Sequence, residues 1–172
     1  PHASNLEGYL YPETYSFPKG TSPQEVVRTM VNQFRQIFSE SWKKRATQLG
    51  FSVREIVILA SLIEKETSRP EERKLISAVF HNRLKKKMKL DCDPTIIYAL
   101  KLQGKYNGRL GWKDLKLNSP YNTYLYPGLP PGPIANPGRA ALEAALYPAK
   151  VDYLYFVSRN DGTHIFSRTL RE

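Results

Sequence analysis

The chain has 172 residues, 41% of them apolar and 24% charged, enough to bury a core and too apolar to be a wholly disordered segment. Its net charge of +10 calls for an anionic partner, whether nucleic acid, a membrane surface or an acidic polymer. The single cysteine, Cys92, excludes an internal disulfide, and no run of about 18 apolar residues is present to form a membrane-spanning helix.

The sequence opens Pro1-His2-Ala3-Ser4, without Met or a signal peptide, as expected of a processed or truncated chain whose anchor has been removed. Residues 1–20, with Gly8-Tyr9-Leu10-Tyr11-Pro12 and Thr14-Tyr15-Ser16-Phe17-Pro18, read as extended segments broken by prolines, leading into a domain over 21–172. Ser22, Pro23 and Glu25 form a capping-box start for a helix predicted to run towards Gly50. Ser52 and Glu55 start a second helix, from Val53 to about Thr67. Pro70 opens a third, which ends in Lys85-Lys86-Lys87-Met88-Lys89, a run that suits a solvated helix end. Asp91-Cys92-Asp93-Pro94-Thr95 reads as a loop and N-cap before a short helix, Ile96 to Leu102. Residues 104–138 are rich in Gly, Pro, Asn and Tyr and are mostly irregular, as functional loops often are. A helix follows from Arg139 to Leu146. Tyr153–Val157 and His164–Phe166 flank Asn160-Asp161-Gly162, a β-hairpin signal. The chain is therefore α+β and mainly helical, with short β segments at its N-terminus and a hairpin at its C-terminus.

The Val53–Thr67 helix carries a carboxylate among apolar residues. At about 100° per residue, Val53, Ile56, Val57, Ala60 and Ile63 share one side, and Glu64 lies within it. A carboxyl there is expected to lose hydration and keep its proton, as a general acid must. Burial against a cation such as Arg83 is the alternative. Glu55 and Glu66 fall on an edge expected to reach water, and Glu66 remains a rival for the catalytic role because helix ends are uncertain by several residues.

Other chemistries find little footing. There is no Gly-x-Ser-x-Gly elbow, no phosphate-binding glycine loop and no metal-ligand spacing among His2, His81 and His164. Tyr121-Asn122-Thr123-Tyr124 and Gly128-Leu129-Pro130-Pro131-Gly132-Pro133-Ile134 offer side chains and amides suited to sugar hydroxyls and acetamido groups, as well as to plain chain turning.

At these residues the sequence resembles a known family. Leu59-Ala60-Ser61-Leu62-Ile63-Glu64-Lys65-Glu66-Thr67, Val79-Phe80-His81-Asn82-Arg83-Leu84, Asp93-Pro94-Thr95-Ile96-Ile97-Tyr98 and the two blocks just quoted resemble those of the YceG-like (MltG) endolytic murein transglycosylases. Leu6–Tyr15 and Tyr153–Val157 extend the match. The resemblance implies a lysozyme-like catalytic domain that cleaves the β-1,4 bond between N-acetylmuramic acid and N-acetylglucosamine within a glycan strand, leaving 1,6-anhydromuramyl ends. It implies a catalytic glutamate in the Ile-Glu-Lys-Glu block, mapped to Glu64. For substrate contact it suggests Tyr98, Tyr121, Asn122, Thr123, Tyr124, Leu129, Pro130 and Glu66. Asn82 and Arg83 would orient Glu64 or meet peptide stems, and Glu7, Glu13 and Asp93 are possible helpers. No cofactor or metal is expected. Peptidoglycan is the expected partner, with cell-wall synthases beside it. The native protein is expected in the plasma or inner membrane as a single-pass protein, its catalytic domain on the periplasmic side, beyond an absent anchor and LysM-like module. The rivals are a lysozyme-type hydrolase, a non-catalytic glycan-binding module and a basic nucleic-acid binder. No nucleic-acid motif supports the last.

Overall fold

The structure, a computed structural model, describes residues 5–170; His2 lies outside them. It is α+β and mainly helical, with six α-helices and one antiparallel β-hairpin among the described residues. The helices are α1 (Pro23–Ile37), α2 (Glu40–Gln48), α3 (Val53–Glu66), α4 (Pro70–Lys85), α5 (Asp93–Leu102) and α6 (Arg139–Leu146). The strands are β1 (Tyr155–Ser158) and β2 (His164–Ser167), paired with Tyr155 opposite Ser167 and Ser158 opposite His164.

Both capping boxes form. Ser22 Oγ accepts from Glu25 N and Ser52 Oγ from Glu55 N, while each glutamate accepts from its cap's backbone N–H. The first long helix expected from the sequence is two helices. Phe38 leaves helical geometry (ψ 75°), and Ser39 caps a new start by accepting from Trp42 N. Phe34, Phe38 and Trp42 are buried on both sides of the break, with ring centroids 5.6 and 5.7 Å apart along the series.

Helix α3 is the centre of the molecule. Every residue from Ile56 to Ile63 is buried, because α6, α4, α5 and α2 each cover a different side. The expected short β segments near the N-terminus form no strand: residues 7–9 are a turn, with Tyr9 N donating to Leu6 O at 3.0 Å, and 11–18 are irregular chain; a two-stranded hairpin is the one sheet among the described residues. Side chains and loop backbone hold this segment instead. Asn136 Oδ1 accepts from both Gly8 N and Leu10 N, at 2.8 and 3.2 Å. Gly8 has φ +86°, and a Cβ there would lie 2.5 Å from Pro133 and 2.8 Å from Val57, so only glycine fits.

The 104–138 segment is largely irregular, as expected, with one 3₁₀ turn over Asp114–Lys116. No single described helix is long and apolar enough to cross a membrane.

Candidate active site

The α3 helix presents two carboxylates near its C-terminal end, and they meet different surroundings. Glu64 is half-buried, and its Oε2 accepts from Gly138 N at 3.1 Å. Gly138 is the N-cap of α6, so this carboxylate sits where the helix has spare N–H groups and positive dipole. That contact is a structural link between the two helices that pack most extensively.

Glu66, half-buried like Glu64, lies instead beside the start of α5. Burial pushes it up to about 7 from an ordinary 4.5; the negative charge of Asp93 adds to the rise, while a hydrogen bond from Cys92 and the positive field of His164 oppose it. Cys92 is fully buried, and burial, reinforced by Glu66, pushes its thiol well above its usual range, so the sulfur keeps its proton for the carboxyl. The edge expected to reach water is thus partly covered by the start of α5, with His164 of β2 near enough to act on the carboxyl through its charge, and no helical wheel of α3 alone contains these groups.

His164 owes its place to Glu72. The Glu72 carboxylate accepts from His164 N at 2.9 Å and lies 2.7 Å from His164 Nδ1, and it also accepts from Thr67 Oγ1. Burial alone would raise Glu72, but the hydrogen bonds from His164 outweigh it and hold the carboxyl below its usual range. Arg69 pins the same hairpin by donating to Gly162 O at 2.9 Å. The hairpin is therefore fastened to the α3–α4 junction immediately after Glu66.

Two open cavities flank the Asp93-Pro94 start of α5. One, of about 310 Å³, includes Lys65, Pro94, Tyr98, Lys101 and Tyr106. The other, of about 230 Å³, includes Asp93, Trp112 and Tyr124. A larger apolar groove of about 530 Å³ lies on α1 among Leu6, Pro23, Val27 and Val31, and no carboxyl or imidazole lines it.

The other residues singled out from the sequence divide clearly. Tyr124 donates to Asp93 Oδ1 at 2.5 Å, and burial with that bond raises the phenol's pKa. Tyr98 donates to Glu7 and packs against Tyr121 with centroids 4.8 Å apart. Asn122 is inaccessible: its Nδ2 donates to Leu115 O and Leu117 O, and its Oδ1 accepts from Tyr124 N, so it shapes the loop and has nothing left for a sugar. Thr123 is equally internal, its Oγ1 accepting from Cys92 N and lying 3.0 Å from Thr95 Oγ1.

Asn82 donates to Val151 O and Tyr153 O, and Arg83 to Leu154 O, Lys89 O, Leu90 O and Asp91, so neither orients Glu64 nor extends towards peptide stems. Buried Pro130 and half-buried Leu129 belong to a wall docked on α3, where Arg54 donates to Pro131 O and Ser61 Oγ accepts from Ile134 N. His164, Glu72 and Trp112 were not among the expected site residues. The Glu72–His164 pair spans 92 positions, and no local pattern announces it.

The profile of the YceG-like family matches residues 1–172. The chain belongs to the YceG-like family. It is 46% identical, over 97% of its length, to a Bacillus subtilis (strain 168) protein named endolytic murein transglycosylase, of which it covers 46%. It is 37% identical, over 89% of its length, to a protein of the same name from Streptococcus pneumoniae serotype 2 (strain D39), of which it covers 28%. The chain thus spans less than half the length of these YceG-like relatives. A crystal structure of a yceG-like protein from Listeria monocytogenes superposes with a TM-score of 0.84 at 44% identity, over 96% of this chain and 52% of that one.

Proposed function

We propose that this chain is the catalytic part of an endolytic murein transglycosylase and that Glu66 is its acid and base. The observation that carries the reading is the Glu66 carboxyl, which burial raises to about 7 and which lies near Asp93 at the start of α5, where the two open cavities begin. The family and the names of the relatives supply the reaction class.

In the first step Glu66 gives its proton to the glycosidic oxygen leaving C1 of N-acetylmuramic acid. The acetamido oxygen of the same sugar shields C1 as positive charge develops, a recognised alternative to a second carboxylate. In the second step the Glu66 carboxylate takes the proton of the muramyl O6 hydroxyl, and O6 bonds to C1. The glycan is cut without water, a 1,6-anhydro end forms, and Glu66 regains its proton. His164, positive when protonated, favours the carboxylate formed between the two steps. Lys65 and Lys101 in the larger cavity suit the lactyl and peptide carboxylates of the polymer.

In this reading residues 21–172 form the catalytic domain and residues 1–20 lead into it. The domain works on the extracytoplasmic side of an inner or plasma membrane to which the longer protein is anchored, within reach of cell-wall synthases.

Mass analysis of peptidoglycan digests tests the reading. Wild type should release anhydro products, one water lighter than hydrolytic ones. Glu66→Gln should release none, and Glu64→Gln should retain most of the activity. Activity lost in Glu64→Gln but kept in Glu66→Gln would move the acid to residue 64, and reducing-end products would make the protein a lysozyme-type hydrolase.

A further inference from the structure

The 104–118 segment holds one large aromatic side chain in the open. Trp112 is 87% exposed, although indole gains more from burial than almost any other side chain. Its position is braced. Gly111 N donates to Asp114 Oδ2 at 2.8 Å, the 3₁₀ turn over Asp114–Lys116 follows directly, and the buried Asn122 amide clamps Leu115 O and Leu117 O beyond it. The indole stands beside the cavity of about 230 Å³ whose far wall is the Asp93–Tyr124 pair. That space is smaller than the ~300–1,000 Å³ of a drug-sized ligand site and suits a single ring of a chain that continues outside. Asp93 is shared between the two features, since its charge is one of those acting on the Glu66 carboxyl.

We propose that this cavity is a glycan subsite next to the scissile bond, in which one N-acetylated sugar ring stacks on the face of Trp112 and hydrogen-bonds to Asp93. The physical case has two parts. An exposed indole offers the C–H face of a pyranose a flat apolar surface at little cost in conformational freedom. The Asp93 carboxylate is exposed and has acceptor capacity beyond the single phenol proton it receives from Tyr124, so it can take a sugar hydroxyl or amide N–H as well. The proposal rests on the Glu66 reading, because it takes the substrate to be a glycan strand crossing that carboxyl.

The protein contains two tryptophans, and the other, Trp42, is only 9% exposed, so acrylamide quenching of intrinsic fluorescence reports mainly on Trp112. The probe is a peptide-free tetrasaccharide of alternating N-acetylglucosamine and N-acetylmuramic acid, titrated into the full chain carrying Glu66→Gln. Saturation should cut the quenching constant at least ~2-fold and shift emission to the blue. In the active protein, Trp112→Ala should raise KM about tenfold, a loss of one order in affinity, while Trp112→Phe recovers part of it. Unprotected Trp112 at saturating tetrasaccharide, together with an unchanged KM in Trp112→Ala, would overturn the subsite while the anhydro products of wild type kept the Glu66 reading intact. Protection that appears on raising protein concentration without glycan would also overturn it, assigning Trp112 to a contact between copies. A wild type that neither cleaves nor binds the glycan removes both readings together.

Discussion

Glu64 and Glu66 stand two residues apart and about 200° apart around α3, so they cannot share an environment. Glu64 ends against the N-cap of α6, and Glu66 ends beside a buried thiol. The second placement has a measurable consequence for stability. Glu66 is raised from 4.5 to about 7, so between those values the folded chain holds a proton that the unfolded chain has lost. Stability therefore falls as pH rises through that window, and the penalty is fully present above about 7. The shift bounds that penalty at roughly 3 kcal/mol. Glu66→Gln should remove it, giving a higher melting temperature than wild type at pH 8 and little difference at pH 4; thermal melts at the two values check this. The rate of glycan cleavage should fall on the alkaline side with an apparent pKa near 7, and a pH–rate profile flat to pH 9 would count against Glu66 as the acid. Asn122 allows a third test at this scale. Its amide makes three internal hydrogen bonds with no exposure, so Asn122→Ala should cost about 2–4 kcal/mol in urea unfolding, by stranding two carbonyls and an N–H.

At the scale of elements, the breaks between helices matter as much as the helices. Ser39 separates α1 from α2 and satisfies the N-terminus of α2 through Trp42 N. Ser39→Ala should cost about 1 kcal/mol of stability, read from the denaturant midpoint, while leaving the fold intact. The β-hairpin is short and would not stand alone in water. Glu72, Thr67 and Arg69 tie its far end to the α3–α4 junction, which carries His164 to the neighbourhood of Glu66. Glu72→Gln should speed amide exchange in β2 more than in β1's helix-facing neighbours on α4, because the broken link is at His164 N. Equal protection in the variant and wild type would show that strand pairing alone holds the hairpin.

Across the whole molecule, distant segments converge on α3. Residues 5–20, the 128–138 wall and α6 all reach it, and Gly8 is where two of them meet most closely. Gly8→Ala should destabilise the protein by at least ~2 kcal/mol, since the added methyl meets Pro133 and Val57 at a left-handed backbone position; the shift in melting temperature reads it. The basic character of the chain acts at this scale too. With a net charge of +10, binding to peptidoglycan, the substrate proposed above, should weaken as salt rises.

The amino-acid pattern alone determined the helix starts, through Ser22, Ser52 and Pro70, and the hairpin, through Asn160-Asp161-Gly162, because caps and turns are local chemistry written in adjacent residues. It also set Glu64 and Glu66 in one block of α3 as the candidate acids. That the Glu66 carboxyl is held above its ordinary range was decided only in three dimensions. Residues from α5 and β2, far along the chain, supply Cys92, Asp93 and His164, and burial depends on what closes over a side chain rather than on the face of the helix that bears it. The same reason turned Asn82, Arg83, Asn122 and Thr123 inward: their polar groups found backbone partners that no spacing rule reveals.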